Sequence, residues 1–350
     1  MATVLVLGAG VMGSAFTLPL VDAGCAVRLV GTHLDRELIA GVRRNRVHPR
    51  LRAPLPEPVQ SFRHDELARA LDETVDLVVL GVSSAGIDWA IEQLRPLMPA
   101  RLPILLLTKG LTADGRTIGI LPDPVEAALG CPTGAVGGPC IAGELAVRRQ
   151  TSIVVSFREP ALTDRVLGML AAPYYHARAG GDLVGTEVCA AFKNFFALGI
   201  GAAQGMLDMA EPAVNDARMH NPAAALFEQS ALELGRLNRA LGGQRESVQG
   251  LAGVGDLYVT VQGGRNSRMG RLLGAGWVYS RAKAERMAED TVEGAELALA
   301  VGPTLEAMFD DGRLDPDDLP LTRAILRAIR DDVPLTFTWQ DFHHRQQRDN

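Results

Sequence analysis

Thr3-Val4-Leu5-Val6-Leu7 runs directly into Gly8-Ala9-Gly10-Val11-Met12-Gly13, and an apolar pattern of helical period follows from Ser14 to Ala23 before Gly24 stops it. The first five residues are the aliphatic, β-branched run of a buried parallel strand. Val27 to Val30 repeats that signature. Strand, glycine turn, helix and strand within about 30 residues is the setting in which Gly-x-Gly-x-x-Gly becomes a strong signal for a dinucleotide. Gly8 permits the tight turn, Gly10 lets a diphosphate approach the backbone, and Gly13 lets the helix lie close to the strand. The free N–H groups of the helix start would face the phosphates.

Outward from that unit, Val75 to Val82 and Ile104 to Leu107 read as further buried strands. Ser83 ends the first, and Thr108-Lys109-Gly110 sits at the C-terminal end of the second, the edge at which open α/β sheets bind ligands. Val136 to Glu144 reads as a strand end entering a helix, and Ser152–Ser156 and Tyr174–Ala177 as the last strands. From Asp182 the character changes. Gly185–Met206, Asn221–Leu241, Val292–Phe309 and Leu321–Arg330 are apolar at helical spacing, and no strand pairs stand out after Gly181. The expectation is an α/β chain of two domains, a Rossmann-type parallel-sheet domain over 1–181 and an all-helical domain over 182–350, with the site at their shared interface.

At the tip of the second strand, Gly31-Thr32-His33-Leu34-Asp35-Arg36 places no carboxylate directly where an NAD enzyme would grip the ribose. Asp35 comes a few residues late and Arg36 could meet a 2′-phosphate, so NAD and NADP both stay open. The basic run Arg43 to Arg52 reads as a solvated connection, or else as a segment near the mouth of the site.

The 35 basic residues include only three lysines, Lys109, Lys193 and Lys283. Arginine stays protonated, while lysine titrates when its surroundings allow, so a chain that writes arginine by default marks Lys109 and Lys193 as candidates for chemistry. Lys283, in Arg-Ala-Lys-Ala-Glu-Arg, reads as a residue of an exposed helix face. A net charge of −6 argues against a general nucleic-acid binder. The four cysteines form no Cys-x-x-Cys pair and read as reduced thiols in the cytoplasm. No Cys/His/Asp cluster has metal-ligand spacing. No apolar run reaches the ~18 residues of a membrane span, and no charged, apolar leader opens the chain.

Seven pieces occur in one order: Gly8-x-Gly10-x-x-Gly13, Lys109-Gly110, Gly138-Pro139, Gly185-Thr186-Glu187 leading to Lys193-Asn194, Gly253-Val-Gly-Asp256-Leu, Gly264-Arg265-Asn266, and Val292-Glu293-Gly294. In these the chain resembles the NAD(P)-dependent sn-glycerol-3-phosphate dehydrogenase family over nearly its whole length. The resemblance implies a Rossmann domain followed by a helical domain like that of 6-phosphogluconate dehydrogenases. It also implies a cytoplasmic homodimer that interconverts sn-glycerol 3-phosphate and dihydroxyacetone phosphate, a small phosphorylated three-carbon pair, in supply of glycerophospholipid precursors.

By position, the resemblance makes Lys193 the general acid/base, Asp256 its orienting partner and Lys109 a second catalytic cation. Lys109, Asn194, Thr260 and Gly138 would lie at the substrate's oxygens, and Arg265 with Asn266 at its phosphate. The turn residues Gly8, Gly10, Val11, Met12 and Gly13 would hold NAD or NADP. His33, Arg36, Ser83 and Ala142 would bear on it too, as would Lys109, Arg265 and Glu293. The chemistry is consistent with these roles: an ammonium can deliver a proton to the oxygen of a ketone receiving hydride, and a guanidinium is the planar partner of phosphate. Two departures bear on the substrate, Cys140 where the family has serine and the long segment Met206–His220. They leave open another phosphorylated or phosphonate-bearing hydroxy compound. A sensor that binds cofactor without catalysis is a third reading, which an intact Lys193–Asp256 pair opposes. The tail's His343-His344 reads as surface.

Overall fold

The computed structural model describes residues 1–211 and 215–342. The chain divides into two compact units. The first comprises Met1–Gly110 and Leu121–Glu187; the second takes Leu111–Ile120 and everything from Val188 on. The division falls inside a helix that begins at Leu183, and the hairpin of Leu111–Ala113 with Ile118–Ile120 belongs to the helical unit.

The first unit is built on eight strands: β1 (Thr3–Leu7), β2 (Ala26–Val30), β3 (Gln60–Phe62), β4 (Leu77–Leu80), β5 (Ile104–Leu106), β6 (Thr133–Gly137), β7 (Thr151–Ser156) and β8 (Tyr175–Ala179). Their order is β8-β7-β6-β5-β4-β1-β2-β3. All pairings are parallel except β6 with β7. Every residue of β4 and β5 is buried, as continuous aliphatic runs covered on both faces require. The order reverses at β1, which pairs β2 on one side and β4 on the other, the place where a doubly wound sheet opens a crevice at its strand tips. Two apolar cores cover the sheet, one centred on Phe16 of helix α1 (Val11–Asp22), the other on Leu5, Val78 and Ile91.

The basic run is more structured than its charge suggests. Val47–His48 pairs antiparallel with Ala53–Pro54, and His48, Leu51, Ala53 and Leu55 are buried. Arg43, Arg44, Arg50 and Arg52 are exposed, while Arg46 turns inward and its Nη2 donates to the Pro56 carbonyl.

The second unit is helical apart from its hairpin. Its main elements are α2 (Leu183–Met209, which starts in the first unit), α3 (His220–Ala240), α4 (Asp256–Val261), α5 (Arg265–Gly274), α6 (Glu293–Asp310) and α7 (Pro320–Arg330). Small residues let α5 lie directly on α2. A Cβ at Gly205 would sit 2.0 Å from the Arg271 carbonyl oxygen, and one at Gly274 2.1 Å from that of Ala202. Glu233 of α3 is fully buried and accepts hydrogen bonds from the amides of Leu321 and Thr322, capping the start of α7.

Two expectations need correction. Among the described residues, α2 is long and apolar enough to cross a membrane, contrary to the reading that no run reaches that length. Yet 94% of its apolar window is buried within the protein, so it is a core helix. No unbroken run stands out in the sequence because Glu187, Lys193, Asn194 and Gln204 interrupt it. Lys283 is half-buried rather than an exposed face residue. Its Nζ donates to the carbonyls of Met287 and Ala288 at 3.0 and 2.8 Å, closing the end of the helix Tyr279–Arg286. Of the four cysteines, Cys25, Cys131 and Cys189 are buried and Cys140 is partly buried.

Candidate active site

In the first unit, the named residues gather at the C-terminal tips of the parallel strands. Gly8 follows β1 with φ +112°, and its amide donates to the Val30 carbonyl at 2.8 Å. A Cβ at Gly8 would lie 2.7 Å from the Gly81 carbonyl carbon, and one at Gly13 would lie 2.1 Å from Gly8 O, so the turn closes only with glycine at both positions. At Gly10 a Cβ would meet nothing within 4 Å. That open side lies at the N-cap of α1, where the first amides of the helix have no intrahelical acceptor. The turn Gly8–Gly13, with Val11 and Met12 opening the helix, fits a diphosphate.

Ser83 follows β4 and is exposed; Lys109 and Gly110 follow β5, with Lys109 partly buried. Gly138 follows β6 with φ +105°, and Ala142 opens the short helix Ala142–Ala146. The Cys140 Sγ lies 4.0 Å from the Tyr175 hydroxyl.

At the tip of β2, Asp35 Oδ2 accepts from the Thr32 amide and the Thr32 hydroxyl, both at 2.8 Å. Its carboxylate therefore closes the loop. Arg36 is exposed at the start of the helix Arg36–Asn45, and the His33 ring lies 5.2 Å from that of Trp89.

The second unit holds a connected polar cluster. Lys193 of α2 and Asp256 at the start of α4 form a buried ion pair through Nζ and Oδ1. Asp256 is delivered by a π-helical turn, Leu251–Gly255, in which the Gly255 amide reaches back to Gly250 O at 3.2 Å. Such wide turns often mark functional sites. A Cβ at Gly253 would sit 2.0 Å from Val248 O, so the turn needs glycine there. The Thr260 hydroxyl donates to the Asp256 carbonyl at 2.7 Å, one turn on.

Beside this pair, Asn194 Nδ2 donates to Glu293 Oε2 at 2.9 Å, and Asn194 Oδ1 accepts from Asn266 Nδ2 at 3.0 Å. Asn266 Oδ1 accepts the Gly294 amide at 2.9 Å. Glu293 also takes Arg265 Nη2 at 3.2 Å. Arg265 and Glu293 are about half exposed, 47% and 48%, so this pair contributes little to stability and is open to exchange with a solute anion. Gly294 is required here: a Cβ would sit 2.2 Å from Asn194 O.

The structure thus brings Lys193, Asn194, Asp256, Thr260, Arg265, Asn266 and Glu293 into one unit. It places Gly8, Gly10, Val11, Met12, Gly13, His33, Arg36, Ser83, Lys109, Gly138 and Ala142 in the other. The described part of the long segment after Gly205 also reaches this region. Arg218, Met219 and His220 line a cavity of about 490 Å³ with Gly263, Gly264 and Ser267, the turn that precedes and enters α5. Residues 212–214 of that segment, and His343-His344, lie outside the described residues.

Sequence reasoning missed Glu187. It is fully buried on α2, neither carboxylate oxygen has a hydrogen-bond partner among the described residues, and burial raises its carboxyl to about 8 despite the opposing pull of Lys109. Its place in Gly-Thr-Glu, among apolar residues of α2, was the available signal. His48 was missed as well. Among the described residues no group of three His, Cys, Asp or Glu could hold a metal ion.

The family model for the N-terminus of NAD-dependent glycerol-3-phosphate dehydrogenase matches residues 3–163, and that for the C-terminus matches 182–338. An NADP(+)-dependent glycerol-3-phosphate dehydrogenase of Archaeoglobus fulgidus is 33% identical over 300 residues, 84% of this chain and 87% of the relative. An NAD(P)+ glycerol-3-phosphate dehydrogenase of Halorhodospira halophila is 31% identical over 338 residues, 95% of this chain and 94% of the relative. The crystal structure of glycerol-3-phosphate dehydrogenase from Coxiella burnetii superposes with a TM-score of 0.79 at 26% identity, covering 99% of both chains. The chain belongs to the NAD-dependent glycerol-3-phosphate dehydrogenase family.

Proposed function

We propose that this protein is an NAD(P)-dependent oxidoreductase that interconverts sn-glycerol 3-phosphate and dihydroxyacetone phosphate. The observation that carries the reading is the buried Lys193–Asp256 pair, set in the same unit as the Asn194–Glu293–Asn266–Arg265 cluster. The turn Gly8–Gly13 would hold the nicotinamide cofactor, which would supply the hydride. Lys193 then gives a proton to the carbonyl oxygen, with Asp256 holding the ammonium in place. Asn194 and Thr260 orient the substrate's oxygens. Arg265 leaves Glu293 in part to take the phosphate, and Asn266 fixes the loop beside it. Asp35 is occupied in its own turn and Arg36 is exposed, which supports acceptance of NADP as well as NAD.

Four cysteines with no Cys-x-x-Cys pair support a reducing, cytoplasmic setting, and the family resemblance supports a homodimer, which light scattering after gel filtration would test. The functional experiment is a substrate panel. With NADH or NADPH, dihydroxyacetone phosphate should be reduced far faster than dihydroxyacetone or unrelated ketone phosphates. Cofactor binding without turnover of dihydroxyacetone phosphate would refute the reading.

A further inference from the structure

The Ala9 carbonyl, inside the glycine turn, accepts two hydrogen bonds. One comes from Ser14 Oγ of α1 at 3.0 Å, the other from His48 Nε2 at 3.1 Å. His48 is fully buried, far along the chain, at the hairpin of Val47–His48 with Ala53–Pro54. Its other ring nitrogen, Nδ1, accepts the Leu51 amide at 3.0 Å. That bond assigns the proton: Nδ1 is an acceptor, so Nε2 carries the hydrogen and the imidazole is neutral. The anchor is itself fixed, because Leu51, Ala53 and Leu55 pack into the same apolar core as Ala9.

The consequence follows from peptide geometry. The Ala9–Gly10 bond is trans and planar, so its C=O and N–H point in opposite directions. Two donors from separate elements hold the carbonyl on the buried side. The Gly10 N–H is thereby aimed away from them. We infer that His48 is a positioning residue for the dinucleotide, holding the Ala9 carbonyl so that the Gly10 N–H faces the diphosphate. This rests on the reading that the turn takes NAD(P).

A protonated imidazole would place an Nδ1–H against the Leu51 N–H and break that anchor. Burial lowers the pKa of His48 from its ordinary value; the Ala9 carbonyl opposes this, Arg50 adds to it, and Asp35 opposes it. Cofactor binding should therefore weaken only toward the acid side.

The test measures dissociation constants for NADH and NADPH by fluorescence in the unaltered protein, His48→Phe and His48→Gln. Phenylalanine fills the space without a donor, while glutamine keeps an N–H near the position of Nε2. His48→Phe should weaken both cofactors about tenfold, the worth of one hydrogen bond, and His48→Gln should recover most of it. The acid-side weakening should be absent in His48→Gln. Equal affinities in the unaltered protein and His48→Phe would overturn the inference. If His48→Phe does not fold, ¹⁵N spectra of the unaltered protein decide. A neutral Nε2–H tautomer whose resonance shifts on adding NADP supports the inference, and an Nδ1–H tautomer or an unresponsive resonance overturns it. An unaltered protein that binds neither cofactor would refute the functional reading itself, and this inference with it.

Discussion

Asn194 and Glu293 are joined by a 2.9 Å hydrogen bond from Nδ2 to Oε2, and this contact ties the residue after Lys193 to the start of α6. Because Asn194 Oδ1 also accepts from Asn266, and Asn266 Oδ1 from the Gly294 amide, three segments are locked by one small network. Asn266→Ala removes both of its bonds and leaves the Asn194 oxygen and the Gly294 amide unpaired. The expected loss is about 1–3 kcal/mol of stability, measured by urea unfolding, together with a rise in KM for the phosphorylated ketone. A variant with unaltered midpoint and kinetics would mean that the network does not organise the site.

Lys193→Arg keeps the charge opposite Asp256 and removes a group that titrates. Turnover should fall by roughly 10²–10⁴-fold while the dissociation constant of NADPH, read by fluorescence, changes little. Near-normal turnover would exclude Lys193 as the proton donor. Replacing Asp256 instead leaves a buried ammonium without its counter-ion, so Asp256→Ala should also destabilise the protein, by about 3–5 kcal/mol.

The pH dependence of stability has a defined sign. Glu187 holds its proton up to about 8 when folded and Glu233 up to about 7, both above the ordinary carboxylate range, because each is buried. Between the unfolded and folded values the native state binds more protons than the unfolded chain. Their contribution is therefore complete below the unfolded pKa of about 4.5 and is lost as pH rises through 7 and 8. Urea midpoints should fall from pH 5 to pH 9. Glu187→Gln, which keeps the shape and never ionises, should flatten that fall by an amount on the order of 2–4 kcal/mol. An unchanged slope would mean that Glu187 ionises freely in the folded protein.

The residues legible in the sequence are those whose local chemistry is unusual. Gly8-x-Gly10-x-x-Gly13 after an aliphatic strand, and lysine in a chain that otherwise writes arginine, each point to one role. The residues that escaped act through distant partners. His48 sits in an arginine-rich run, and only the fold shows that its imidazole reaches Ala9. Glu187 has the spacing of an ordinary helical residue, and only its burial in the fold raises its carboxyl to about 8. The hairpin Leu111–Ala113 with Ile118–Ile120 joins the helical unit through contacts that no local pattern encodes, among them Gly115 N to Thr304 Oγ1 at 3.1 Å. The close seam of α2 and α5 was readable in principle, since Gly201 and Gly205, and Gly270 and Gly274, repeat at the four-residue spacing of one helix face.

Cofactor choice turns on Arg36. Asp35 spends its carboxylate on Thr32, so the ribose meets no dedicated acid there, and the exposed guanidinium beside it suits a 2′-phosphate. Arg36→Ala should raise the KM for NADPH several-fold more than that for NADH. Equal effects on the two would place Arg36 away from the 2′-phosphate.

Arg265 decides whether the substrate must carry a phosphate. It follows Gly264, where φ is +102° and a Cβ would meet nothing within 4 Å, so an anion can approach the backbone at the start of α5. Its one hydrogen bond among the described residues runs to Glu293 at 3.2 Å, a half-exposed contact that a phosphate dianion can displace. Glu293 is held independently by Asn194, so it stays in place when the arginine turns to the substrate. Arg265→Ala should therefore cost about 2–5 kcal/mol in kcat/KM for dihydroxyacetone phosphate. It should leave the slow reduction of dihydroxyacetone unchanged, because that ketone has nothing for the guanidinium to hold. Added phosphite should raise turnover of dihydroxyacetone in the unaltered enzyme, since binding energy from a detached anion can serve the reacting centre, and should do so far less in Arg265→Ala. If Arg265→Ala keeps its KM and turnover for the phosphorylated ketone, the arginine serves only as the partner of Glu293 and the phosphate is held elsewhere.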